Sequence, residues 1–405
     1  HAPLLADGAL HVDAADHEAL AALMGASLPD LPQGLGARTI RLDGRAVLSP
    51  DLRLVLRDAI AQLDDNRLRL SADLRTSGQR PSVTATITAE TPLVLPASAG
   101  GGAAGGAGSG GWSTAPIDLS ALSAVDADVT FAAPSVEAGG MRLGALRGRL
   151  ALADGRAAVT LSEMQAYEGR ISGTMVANAS GRGSVRADLL VENVALQPML
   201  HDLAGYERLT ATANGRISVL SSAASMSEMM NRLQGDGQLS LGKGELRGLD
   251  LLGMLRRLDV SYVGEGQKTI FDSISTSFSI AEGVLRADDL KLAAPYLQVA
   301  GTGTVGIGSR SLDYRLLPVA LQKEDGTGGL GVPLKITGPW ARPRFQLDME
   351  ALAKPKLDAE RARAEKKLAE KLGADTENGE TLEDAAKRKL ENELRRGLGK
   401  LFGGN

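Results

Sequence analysis

The 405-residue chain contains no cysteine, which removes disulfides, thiolate zinc sites, iron–sulfur clusters and thiol nucleophiles together. Phe, Trp and Tyr make up only 3% of it, too few for an enzyme core of the usual kind, because each ring buries a large apolar area. No apolar run reaches the roughly 18 residues that a membrane-spanning helix requires. The four histidines are His1, His11, His17 and His201; none has a second histidine four residues on, so the helix-borne zinc motif is missing. The formal net charge is −4. A nucleic-acid binder would carry a basic field instead.

What the chain does have is glycine, 49 residues of it, together with Ala, Leu and Val in strict alternation. Period-two stretches such as Arg67–Arg75, Val83–Thr88, Val185–Glu192 and Leu312–Leu316 read as strands with one wet and one dry face. Asp154-Gly155, Glu282-Gly283 and Lys243-Gly244 read as the turns between strands, since glycine supplies positive φ. The turns belong to a repeat: Arg149–Gly155, Ser277–Gly283 and Gln238–Gly244 align by character. In two copies a strand glycine follows the turn glycine at a fixed distance, Gly155 to Gly173 and Gly283 to Gly301. The fold class expected is mainly β. Repeated hairpin units form an elongated, curved antiparallel sheet, with a few short helices and a helical tail.

Four regions are expected: a β-rich repeat region (1–98), a Gly/Ala-rich linker (99–111), a second β-region (112–350) and a charged tail (351–405). The linker lacks the flanking strand, helix and Lys-Ser/Thr of a phosphate loop. Asp16 can cap a helix over His17–Leu28, Ser225-Met226-Ser227-Glu228 is a capping box opening Met226–Leu233, and Leu249–Leu258 has helical spacing. In the tail, Leu382, Leu390, Leu394, Leu398 and Phe402 share an apolar stripe on a helix over Thr381–Phe402. That helix could lie on a membrane or partner, or dock back on its own sheet.

No nucleophile elbow in a strand–turn–helix setting and no pair of carboxylates suited to glycoside hydrolysis stands out. Asp64-Asp65 and Asp288-Asp289 are the nearest candidates, both read as solvated surface residues. The expectation is a non-enzyme with no cofactor and no metal. A wide sheet with one apolar face must bury that face. It can close into a barrel or sandwich, or curl into a gutter whose inner face holds acyl chains.

The order of motifs resembles the AsmA family. Trp112–Leu119 after a low-complexity stretch is similar to the opening of that family's C-terminal region. Leu203–Tyr206, Ala211–Val219, Met226–Leu233 and Gln234–Asp250 follow in its order, and Phe271–Leu285, Ala300–Val305 and Leu312–Leu316 look like its closing strands. The resemblance, best over 112–320 and looser over 1–98, implies a Gram-negative envelope protein related to TamB and to bridge-like lipid-transfer proteins. It implies an N-terminal inner-membrane anchor outside this sequence, a periplasmic body, and a hydrophobic groove that moves phospholipid towards the outer membrane. The implied partners are phospholipid acyl chains and the inner membrane; the charged tail is less typical of the family's common core, and contact with the outer membrane or an envelope protein is expected from the apolar stripe of the 381–402 helix. The family offers no catalytic residues and no list of lipid contacts. Candidate lipid-facing positions therefore come from alternation: Val185, Ala187, Leu189, Val191, Leu239, Leu241, Phe278, Ile280, Leu297, Val299, Leu312, Tyr314 and Leu316. The competing expectation is a scaffold or regulator of outer-membrane protein assembly whose sheet is sealed and dry. A carbohydrate-active β-repeat enzyme or adhesin is the third.

Overall fold

The structure, a computed structural model, describes residues 6–14, 34–78, 80–95, 111–138, 141–257, 263–320, 330–340 and 342–348. The expected helices over His17–Leu28 and in the 351–405 tail lie outside them. In chain order the strands are β1 Ala6–Ala14, β2 Ile40–Leu48, β3 Arg53–Leu63, β4 Asn66–Arg75, β5 Ser82–Ala89, β6 Leu93–Leu95, β7 Asp126–Ala133 and β8 Val136–Ala138. They continue as β9 Met141–Ala153, β10 Arg156–Ala166, β11 Gly169–Asn178, β12 Ser184–Ala195, β13 Leu209–Thr210, β14 Thr212–Ser221, β15 Gln234–Leu241 and β16 Gly244–Leu249. The last are β17 Val263–Phe271, β18 Ser273–Ala281, β19 Val284–Ala294, β20 Leu297–Gly306, β21 Ser311–Ala320, β22 Leu330–Gly331, β23 Leu334–Pro339 and β24 Arg344–Leu347. Three short α-helices interrupt them: α1 Leu196–Ala204, α2 Met226–Asn231 and α3 Leu251–Arg257.

Twenty-one of these strands form one sheet. Its pairings run β1–β2–β3–β4–β5–β7–β9–β10–β11–β12–β14–β15–β18–β19–β20–β21–β23–β24. Among the described residues the first and last strands do not pair, so the sheet is open. The pairs are antiparallel except β5–β7 and its continuation β6–β8. Parallel neighbours need a long crossover, and the Gly/Ala-rich stretch lies within it. Strands on its two sides therefore belong to one continuous sheet.

Hairpin turns line one rim of the sheet. Both residues of Asp154-Gly155 (φ 52° and 73°) and of Glu282-Gly283 (φ 49° and 69°) are left-handed, as the tightest hairpins require. Lys243-Gly244 departs from the expected turn: β16 does not fold back on β15 but pairs with β13 and β17 in a separate three-stranded sheet. A Cβ at Gly244 would meet the Phe271 ring at 2.7 Å, so that glycine serves close packing.

The crossover's last segment, Trp112–Val125, runs along the turn rim. Ser227 N–H donates to Ser113 O (2.8 Å) and Ile117 N–H to Ala224 O (2.8 Å). Further on, Leu119 lies against Gly183 and Ser123 against Gly155. α2 sits on the same rim: Ser225 Oγ accepts from Glu228 N–H at 3.2 Å, while the Glu228 carboxylate accepts from Ala224 N–H rather than from Ser225. α1 ends in a left-handed Gly205 (φ 62°), whose N–H donates to His201 O. The His201 ring pairs with Glu207 at 2.8 Å.

The opposite rim carries the insertions and the main core. α3 buries Leu251, Met254 and Leu255 against Leu241, Phe271, Leu292, Leu297, Val299, Val332 and Leu334, each such side chain stabilising by about 1.5–3 kcal/mol. A smaller core of Ala61, Leu68, Ala89, Ala133 and Val136 lies in the N-terminal part of the sheet. Beside it, Asp64 corrects the expectation of a solvated carboxylate. It is 7% exposed and accepts the backbone N–H groups of Gly34, Gly36, Ala37, Arg38 and Thr39 at 2.6–3.2 Å. Burial alone would raise its pKa, but the amides of Thr39, Arg38, Gly34 and Gly36 bring it below the usual 3.8. The reason is local: five amides of one loop have no strand partner and converge on this side chain.

Candidate functional site

Pairing registers place one residue of each successive strand directly opposite the next, and on the apolar face this traces a line across the sheet. It runs Ala59–Leu70–Ile87–Phe131–Gly148–Leu161–Gly173–Leu189–Ile217–Gly237–Phe278. After the irregular β18–β19 seam it resumes as Ala287–Gly303–Tyr314–Ile336–Phe345. No residue of it is polar apart from the Tyr314 hydroxyl. At strand spacings of about 4.8 Å, it is a long apolar path across the sheet. Leu70, Ile87, Phe131, Leu189, Ile217, Phe278 and Tyr314 along it are half-buried.

The glycines of the line face large side chains. A Cβ on Gly148 would sit 2.5 Å from Phe131 Cζ, and one on Gly237 would sit 2.9 Å from Phe278 Cε2. One on Gly303 would meet Tyr314 Cδ2 at 2.7 Å, and one on Gly301 would meet Tyr314 Cε1 at 2.9 Å. Directly opposed Cβ positions are about 4.5–5.5 Å apart, close to the length of a phenyl side chain. Each ring therefore lies across its seam, parallel to the sheet. Tyr314 extends one strand further, its hydroxyl donating to Ala287 O at 3.0 Å. Burial pushes that hydroxyl up to about 12, so it stays a neutral donor.

The opposite face is charged and ion-paired along the seams. Asp7 with Arg45, Asp73 with Arg53, Asp128 with Arg149, and Glu90 with Arg67 and Arg69 recur across neighbouring strands. At the β18–β19 irregularity the Asp289 carboxylate accepts Ser277 N–H (2.8 Å) and Thr276 Oγ1–H (3.0 Å), filling the gap in the ladder. Among the described residues no three His, Asp or Glu side chains group to hold a metal ion. Among them, too, no helix is long and apolar enough to cross a membrane.

The positions expected from alternation divide into two sets. Val185, Ala187, Leu189, Val191, Phe278, Leu312 and Tyr314 are half-buried. Leu241, Leu297 and Val299, at 4%, 3% and 2% exposure, belong to the core that α3 covers, and Leu239 and Leu316 pack against it. Ile280 is buried. The helix residues Leu382, Leu390, Leu394, Leu398 and Phe402 lie outside the described residues. Sequence reasoning missed Phe131, Gly148, Ile217, Gly237 and Gly303. The turn-to-glycine spacing found Gly173 and Gly301, yet the glycine that matches Gly173 in backbone is Gly303: their φ values are 141° and 155°, and each lies in its own strand on the line. Pairing irregularities in β10 and β19 shift this equivalence by two residues.

Comparison of the chain with curated proteins and with solved structures gives no match. The model of the AsmA family matches residues 97–290. The match starts in the crossover and stops within β19, although the sheet continues to β24. Over this segment, just under half its length, the chain is similar to the AsmA family.

Proposed function

We propose that the apolar face is a bed for phospholipid acyl chains, and that the protein is a non-catalytic lipid-conducting element of the cell envelope. The observation that carries this is the apolar line across successive strands, interrupted at the β18–β19 seam, half-buried over much of its length and backed by a polar, ion-paired face. A chain of CH₂ groups is the ligand such a path fits, since it gains by leaving water and asks for no hydrogen bonds. The AsmA match suggests a role in the envelope and the outer membrane. A periplasmic body, anchorage in the inner membrane through a segment outside this sequence, and contact with the outer membrane or an envelope protein through the tail complete the reading.

The test is native mass spectrometry of the purified protein together with photocrosslinking from probes at Leu189 and Tyr314. Co-purifying phospholipid and lipid adducts at both positions are expected; finding neither would sink the proposal.

One observation favours a second reading, a dry scaffold that binds protein. α3 fills the apolar face around Leu241, Leu297 and Val299. Under that reading Leu189, away from α3, would crosslink to protein and never to lipid.

A further inference from the structure

The ring–glycine pairs answer a question the line itself leaves open, namely how wide a chain it accepts. Four of the chain's few aromatic residues lie on the line; Phe345 faces Ile336, and the other three each reach over a glycine on the neighbouring strand: Phe131 over Gly148, Phe278 over Gly237, Tyr314 over Gly303. An upright ring would project its full length above the sheet. A ring laid over a glycine occupies the hollow left by the missing Cβ and raises the surface by little more than its own thickness.

Support of the sheet alone would be served by such a pair on either face, since aromatic cover of a strand glycine stabilises pairing. The three in the large sheet all occur on its apolar face and on the row described above, whereas the further pair, Phe271 over Gly244, packs in the three-stranded sheet. The backbone also excludes a Cβ here: Thr160 O stands 2.6 Å and Arg216 O 2.7 Å from where those of Gly148 and Gly237 would be. The low relief is thus enforced from both sides of the seam.

We infer that Phe131, Phe278 and Tyr314 are specificity-determining positions that set the bore of the apolar path, admitting slim unbranched acyl chains and disfavouring bulky ones. This rests on the acyl-chain reading of the face. Removing a ring leaves an uncovered hollow over its glycine, which widens the path locally. A shape mismatch in an apolar site is worth about tenfold or more in discrimination.

The experiment uses the whole protein and two fluorescent fatty acids, a linear polyene and one of similar length ending in a pyrenyl group. The wild-type protein is expected to bind the polyene more tightly. F131A and F278A should each shift the preference towards the pyrenyl probe by about tenfold. F131L and F278L, which keep apolar volume without the reach across the seam, should shift it in the same direction. Circular dichroism confirms the fold of each. An unchanged preference in all four variants, with both probes still bound, overturns this inference and leaves the acyl-chain reading standing. Failure of the wild-type protein to bind either probe overturns both.

Discussion

The Arg310 guanidinium lies 4.4 Å from the centre of the Trp112 ring, and Trp112 Nε1–H donates to Ile307 O at 2.9 Å. The chain's other tryptophan holds the same turn from its far side, Trp340 Nε1–H donating to Ser311 O at 3.1 Å. Both tryptophans thus grip the β20–β21 turn, and Trp112 ties it to the segment that runs along the rim. W112A is expected to cost about 1–3 kcal/mol, a hydrogen bond plus a cation–π contact and some packing. Urea unfolding measures it; an unchanged midpoint would mean that the rim holds without the clasp.

Asp64 is the sole acceptor shared by five amides of the Gly34–Thr39 loop. D64A strands several buried N–H groups, at about 1–3 kcal/mol each when unsatisfied, so a loss of at least about 3 kcal/mol is expected. D64N, which keeps one acceptor oxygen, should lose less. Equal losses would show that charge, and not hydrogen-bond capacity, matters there.

Asp73 gives the sheet an acid limb. Its hydrogen bonds to Arg53, and a further one to Arg75, hold its carboxyl down at about 2 against an ordinary 3.8. A depressed folded-state pKa contributes stability that is present above the ordinary value and is lost as pH falls towards about 2. Thermal melts of D73N should show a shallower decline between those values than the wild-type protein. Superimposable profiles would remove Asp73 from the acid response.

Two turn glycines separate backbone strain from crowding. Gly181 (φ 66°) has nothing within 4 Å of a Cβ, whereas a Cβ at Gly283 (φ 69°) would press on the backbone of Met230 and Asn231 in α2. G181A is expected to cost about 1–2 kcal/mol, the left-handed cost alone, and G283A clearly more. Equal losses in chemical denaturation would mean that α2 yields freely.

The β-ladder ends at Leu347, and Phe345 and Leu347 pack against the α3 core. Removing residues 351–405 should leave the β-signal in circular dichroism and the cooperative melt unchanged. Loss of folding would make the tail part of the core.

Much of the local structure was legible because a strand's side-chain period is two. Arg67–Arg75 and Val185–Glu192 announce their dry and wet faces without reference to any neighbour, and Asp154-Gly155 and Glu282-Gly283 name their turns through the φ that glycine allows. Lys243-Gly244 looked the same in sequence and is different, because a glycine can answer to crowding as well as to φ. Asp64 looked like surface because nothing in Asp64-Asp65 shows that a loop about thirty residues earlier presents its amides to it.

By itself, then, the sequence determined the fold class, the alternation that makes one face apolar, and two of the tight turns, all of which depend on residues within a few positions of one another. Tertiary structure decided which residues share a line. Registers between strands far apart in the chain bring Gly148 under Phe131 and Gly303 under Tyr314, and irregular pairings in β10 and β19 shift by two residues a match that spacing alone placed at Gly301. It also decided that α3 covers Leu241, Leu297 and Val299 while Leu189 and Tyr314 stay half-buried. Alternation assigns a face to each residue, but what lies over that face is set by packing between distant segments.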